Sequence, residues 1–196
     1  MRLLLVSGFL GAGKTTLIVE LGRALASQGR KAAIIVNEIG EIGLDDQLMR
    51  RLGFNVSEIL GGCICCTLAG DLPHTLRQLQ QAYAPELVLM EPSGAADPAG
   101  VLGALADLPR DLVGEVKRLT VLDPLRLEGL WAVLQPLIQS SLENCDLVLI
   151  NKADAATPAE LGFARALARQ HHPGVKVFTA SAREGLTAPL LAEVLA

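Results

Sequence analysis

Three groups of residues in this chain have the types and spacing to do chemistry. GFLGAGKT at residues 8–15 fits GxxxxGK followed by Ser or Thr. Glycines at Gly8, Gly11 and Gly13, with Ala12 between, let backbone N–H groups turn inward around phosphate. A helix opening at Lys14 adds the positive end of its dipole. Lys14 then reaches the β- and γ-phosphates, the Thr15 hydroxyl is a ligand for Mg2+, and Thr16 follows on the same turn. NKAD at residues 151–154 is the second group. The Asp154 carboxylate can accept from guanine N1–H and its 2-amino group, a pair that adenine does not offer, while an adenine would leave a buried acid unpaired. Asn151 and Lys152 accompany it, and the backbone of Ser181 and Ala182 is placed to support the guanine O6. The third group, GGCICCTL at residues 61–68, holds three of the four cysteines, Cys63, Cys65 and Cys66. Thiolates suit soft or borderline ions, whereas packing as small hydrophobes and redox chemistry are the competing readings.

Between these lies EPSGAADP at residues 91–98. Glu91 ends an apolar run and can hold Mg2+ or its water shell, and the Gly94 N–H can face a γ-phosphate. Glu38 and Glu41, in or beside the polar, Gly-rich stretch GEIGLDDQL, are candidates to complete a metal site with the thiols, and nucleotide could order that stretch. Cys63 and Cys65 can point to one side of an extended loop. Cys145, just before an apolar strand, reads as core. His74 is a further candidate ligand, with a surface or capping role the favoured reading, and His171 and His172 read as complements to a helix C-terminus.

Positioning such groups requires a particular scaffold. Short aliphatic runs alternate with longer amphipathic stretches, the pattern of βαβ units and a parallel sheet. Strands are expected at 2–7, 31–37, 86–90, 117–122, 146–150 and 175–178, with a further short one near 54–59. Helices are expected at 14–28, 68–83, 98–107, 125–140, 158–171 and 186–195. The chain has 196 residues, 51% hydrophobic but only 3% aromatic, so its apolar mass is aliphatic and suits strands covered on both faces. That length predicts one domain. A net charge of −4 and no basic cluster exclude a nucleic-acid surface. No apolar run reaches a membrane span, and the apolar N-terminus leads into Gly13-Lys14-Thr15 rather than a cleavage site. A cytoplasmic setting is expected, where clustered thiols mean metal or redox chemistry more than disulfides.

GFLGAGKTT, VNEIGEIGLD, GGCICCTL, EPSGAADP and NKAD occur in the order found in CobW-like P-loop GTPases, and the chain resembles that family along its whole length. The resemblance implies a P-loop α/β fold of three layers with a mostly parallel central sheet. It also implies a GTPase that cycles between GTP and GDP with Mg2+, and a role as metallochaperone or metallocofactor-assembly factor for Zn2+, Co2+ or a similar ion. Its partner would be a metal-dependent client or assembly machinery, and a homodimer is allowed. In the family's third GTPase motif a glutamate stands where Glu91 does. Residues 1–196 are expected to form a single GTPase domain, without the C-terminal domain common in the family. Ala95 follows Gly94 where many GTPases keep a water-orienting glutamine, and no arginine is placed by sequence to act in cis. Hydrolysis is therefore expected at about 10⁻² s⁻¹ or lower. A nucleotide-gated binding module that scarcely turns over is the alternative, and an ATP-dependent kinase is disfavoured by NKAD.

Overall fold

A computed structural model describes residues 1–36, 64–92, 103, 105–106 and 108–195; for residues 64–71 it describes the backbone alone. Six strands form one sheet: β1 (Arg2–Gly8), β2 (Ala32–Val36), β3 (Leu87–Glu91), β4 (Glu115–Leu122), β5 (Leu147–Ile150) and β6 (Lys176–Thr179), in the order β2-β3-β1-β4-β5-β6. The pairings β1 with β3, β2 with β3, β4 with β5 and β5 with β6 are all parallel. The helices are α1 (Lys14–Ser27), α2 (Ile64–Ala82), α3 (Pro124–Glu143), α4 (Pro158–His171) and α5 (Ala188–Leu195). All six principal strands lie within two residues of their expected ends. The short strand expected near 54–59 falls outside the described residues. Of the helix expected at 98–107, only Gly103, Leu105 and Ala106 are described, and they are helical.

The chain divides into two compact units, Met1–Leu5 with Leu21–Val116, and Val6–Glu20 with Lys117–Ala196. In the first, Leu3 and Leu5 of β1 register against Val88 and Met90 of β3. Leu72, Leu76 and Leu79 of α2, spaced four and three apart, bury against them with Leu108 and Leu112. Strand β3 is buried at every residue, which an aliphatic run covered on both faces requires.

Helix α2 begins four residues earlier than the sequence suggests, so Cys65 and Cys66 have helical backbone rather than that of an extended loop. No Gly or Pro stands between Ile64 and Leu68 to stop the helix from extending back, and the Gly61-Gly62 pair is the nearest breaker upstream.

The second unit is built around Leu127, Ile138 and Leu142 of α3 and Ala164, Leu167 and Ala168 of α4, packed on Val148 and Ile150 of β5. Cys145 belongs to this core, as expected: it is buried, and its thiol donates to the Leu142 carbonyl at 3.2 Å. Burial pushes that thiol's pKa up, away from thiolate. Asp123 caps α3, accepting from the Leu125 N–H at 3.1 Å, with Pro124 in the first turn. The same helix departs from helical backbone at Leu134 (φ −121°, ψ 26°), two residues before Pro136. Proline lacks the N–H and its ring crowds the preceding turn, so the kink belongs to Pro136. Helix α4 opens on a reciprocal capping box between Thr157 and Glu160. Among the described residues no helix is long and apolar enough to cross a membrane.

Candidate nucleotide site

The described groups of the phosphate and base motifs lie in the second unit, while Glu91 ends β3 in the first. After β1 the chain turns through Gly8–Gly13 into α1. Two glycines are there for stated reasons. Gly8 has φ +142°, and a Cβ on it would overlap the Val121 carbonyl oxygen of β4. Gly13 has φ +89°, and a Cβ on it would overlap the Asn151 side-chain amide. The loop closes with an Ala12 N–H to Phe9 carbonyl bond of 3.1 Å, and Leu17 N–H to Gly13 carbonyl at 3.0 Å starts the helical ladder. Lys14 is only 5% exposed, and its Nζ donates to the Phe9 carbonyl at 3.5 Å. A buried ammonium held at the rim of its own loop is a positive charge already placed beside the N-terminus of α1. Thr15 is half-buried and Thr16 exposed.

Asn151 follows β5 and joins the two motifs physically. It is 2% exposed; its Nδ2 donates to the Ala12 carbonyl at 2.8 Å, and its Oδ1 accepts from the Ala182 N–H at 2.9 Å. One amide thereby spans the phosphate loop and the loop after β6. The sequence places Asn151 among the nucleotide contacts and the backbone of Ser181 and Ala182 as support for the guanine O6. The loop after β6 is further shaped by Glu184 and Gly185 N–H bonds to the Ser181 carbonyl, both 3.1 Å. Ser181 is buried.

Lys152 adopts φ +55° and pairs with Asp123 at 2.7 Å. Asp123 is 4% exposed at its side chain, so its charge is neutralised by this lysine and hydrogen-bonded by its own helix cap. Neither Asp123 nor Arg126, whose Nη1 donates to the Leu10 carbonyl at 3.0 Å, was singled out from the sequence. A signal was there: Asp-Pro directly after an aliphatic strand marks a capped helix start, and in open α/β sheets ligands gather at the carboxyl ends of strands. Asp154 is exposed rather than buried.

Glu91 is 7% exposed at the carboxyl end of β3. A carboxylate is a hard oxygen donor, and in the second unit Thr15 is half-buried at the start of α1. Gly94, Glu38, Glu41 and Cys63 lie outside the described residues, and Cys65 and Cys66 are described by backbone only. His74 is exposed on α2. His171 stands 4.0 Å from Glu143 at its Nδ1 and packs on Trp131, with ring centroids 5.2 Å apart, while His172 caps α4. The partner of this helix-end histidine is thus a carboxylate of α3.

A glycine loop between strand and helix, a buried lysine at its end and an asparagine binding it to a second loop define a P-loop nucleotide-binding domain. Residues 2–179 match the family model of the CobW/HypB/UreG nucleotide-binding domain, and the chain belongs to that family. It is 34% identical to the zinc chaperone YeiR of Escherichia coli over 79% of this chain and 47% of that protein. It is 31% identical to the zinc chaperone CobW of Pseudomonas aeruginosa, over 95% of this chain and 58% of that one. The chain thus spans about half the length of these relatives. The crystal structure of the hydrogenase maturation factor HypB from Archaeoglobus fulgidus aligns with all of this chain and 88% of its own, at a TM-score of 0.67 and 21% identity. That likeness shows the shared P-loop α/β fold of three layers.

Proposed function

We propose that this chain is the GTP-binding, slowly GTP-hydrolysing domain of a cytoplasmic metallochaperone or metallocofactor-assembly factor. The single observation that carries the reading is the Asn151 amide, which fixes the phosphate loop at Ala12 to the base-side loop at Ala182. Those two loops carry the two surfaces a purine nucleotide must touch together. Lys14 and the N-terminus of α1 bind the β- and γ-phosphates, and Asp154 accepts from guanine. The Gly94 N–H faces the γ-phosphate. Thr15 and Glu91 hold Mg2+, which when bound neutralises charge on the β- and γ-phosphates.

The cargo is a transition metal, Zn2+ or Co2+, taken by Cys63, Cys65 and Cys66 with Glu38 and Glu41, and delivered to a metal-dependent client. Support comes from the family and from relatives named zinc chaperones. Residues 37–48 join the phosphate site to the thiols in sequence, so a ligand ordering one lowers the cost of ordering the other. Coupling of about 1–3 kcal/mol is the usual range for linked sites, and metal must tighten GTP by the factor that GTP tightens metal.

Two titrations test this. The wild-type chain should prefer GTP to ATP, and Asp154→Asn should weaken GTP by about 1–3 kcal/mol while improving xanthosine nucleotide binding; equal affinity for ATP and GTP removes the guanine assignment. Competition with a chromophoric chelator should show tighter metal binding with a non-hydrolysable GTP analogue than with GDP. Identical metal affinities in the two states defeat the chaperone mechanism.

A further inference from the structure

The fold brings an arginine to the phosphate loop that the sequence alone gave no reason to place there. Arg126 stands in the first turn of α3, three residues after the Asp123 cap. Its Nη1 donates to the Leu10 carbonyl at 3.0 Å, and a Cβ added to Gly11 would lie 2.9 Å from the same nitrogen. Leu10 and Gly11 are the exposed tip of the loop that ends in Lys14, and Leu10 is 79% exposed. The charge is oddly placed for stability, because the positive end of a helix dipole disfavours a cation in the first turn. No carboxylate offsets it among the described residues: the adjacent acid, Asp123, is committed to Lys152 and to the Leu125 N–H. A guanidinium has five donors in a rigid fork, and the bond to Leu10 uses one.

We infer that Arg126 is a catalytic arginine supplied in cis for the GTPase reaction, an inference that rests on the GTP-hydrolysing reading above. With GTP bound, the fork turns from the Leu10 carbonyl to an oxygen of the γ-phosphate. In the reaction the oxygen of water bonds to the γ-phosphorus. The bond from that phosphorus to the β–γ bridging oxygen breaks with its electron pair passing to GDP, and both protons of water leave on dihydrogen phosphate. Negative charge grows on the bridging and γ-oxygens during this exchange, and a fixed guanidinium stabilises it more than it stabilises bound GTP. A surface position leaves part of that field screened by water, so the effect belongs at or below the lower end of the about 10³–10⁵-fold range for such arginines.

The test uses the full chain with Arg126→Ala and Arg126→Lys, both checked for wild-type melting temperature. Single-turnover GTP hydrolysis should fall about 10²–10³-fold in the alanine variant. Affinity for a fluorescent GDP should stay within about twofold, and GDP with aluminium fluoride, which mimics the transferring phosphoryl group, should no longer bind tightly. Lysine should recover little, because it lacks the fork, and millimolar guanidinium should restore part of the alanine variant's rate. An unchanged hydrolysis rate with GTP bound overturns the inference. So does an equal loss of GDP and GTP affinity, which would make Arg126 a clasp on the Leu10 carbonyl and nothing more. A wild-type chain that binds no guanine nucleotide overturns the GTPase reading itself, and this inference with it.

Discussion

Replacing Asn151 with alanine is the sharpest probe of how the site is held. The change removes a 2.8 Å bond to the Ala12 carbonyl and a 2.9 Å bond from the Ala182 N–H. Ala12 and Ala182 are 1% and 2% exposed, so neither group gains free access to water when its partner is lost. Each such orphaned group costs about 1–3 kcal/mol, and partial hydration of the vacated space brings the pair to about 2–4 kcal/mol. For a domain of this size 1 kcal/mol moves the midpoint by about 2–4 °C, which predicts a fall of about 10 °C in the melting temperature of the nucleotide-free chain. The loop would then have to be reordered by the ligand, and GDP affinity should drop about 5–30-fold, the equivalent of 1–2 kcal/mol. Thermal unfolding without ligand, followed by titration with fluorescent GDP, measures both. A variant that keeps the wild-type melting temperature yet loses GDP would refute the reasoning, because Asn151 would then act on the nucleotide and not on the loops.

Three further outcomes follow from the same geometry. Gly13→Ala should lose both stability and nucleotide binding: left-handed backbone costs a side-chain-bearing residue about 1–2 kcal/mol, and the new methyl displaces the Asn151 amide, so a variant with intact GDP affinity would contradict the packing seen here. Lys152→Ala leaves the Asp123 carboxylate buried without its counter-charge and should cost about 2–4 kcal/mol in chemical denaturation, below the full penalty of a wholly buried pair because the lysine is 34% exposed; adding Asp123→Asn should recover part of the loss, and strict additivity would deny the pairing. At Asp146, burial raises the carboxyl's pKa, but hydrogen bonds from Arg118, with Lys117 nearby, outweigh it and hold the folded value below the usual carboxylate range. The stability it adds is present above the unfolded pKa of about 3.9 and is lost as pH falls through the folded value, so Asp146→Asn should destabilise by about 1 kcal/mol at pH 7 and by progressively less below about pH 4.

The order and kind of the elements are legible in the sequence, because that information is local. Short apolar runs such as LVLME and LVLI read as buried strands, Thr157-Pro158 with Glu160 signals a capped helix start, and GFLGAGKT carries its turn in its glycines. Cys145 was legible as core for the same reason: its neighbours in the chain define its surroundings. Where a helix begins was less legible, since nothing between Ile64 and Leu68 marks a boundary and helix α2 runs back through Cys65 and Cys66. Meetings between residues far apart in the chain come from the folded arrangement alone. Asn151 reaches a carbonyl 139 residues away, Lys152 finds Asp123, and Arg126 arrives beside Leu10 across 116 residues. No periodicity or turn signal encodes which side chain a carbonyl will face. That is set by the strand order, which brings together the loops after β1, β4, β5 and β6 in the second unit, and by the close approaches that glycine permits at Gly8, Gly11 and Gly13.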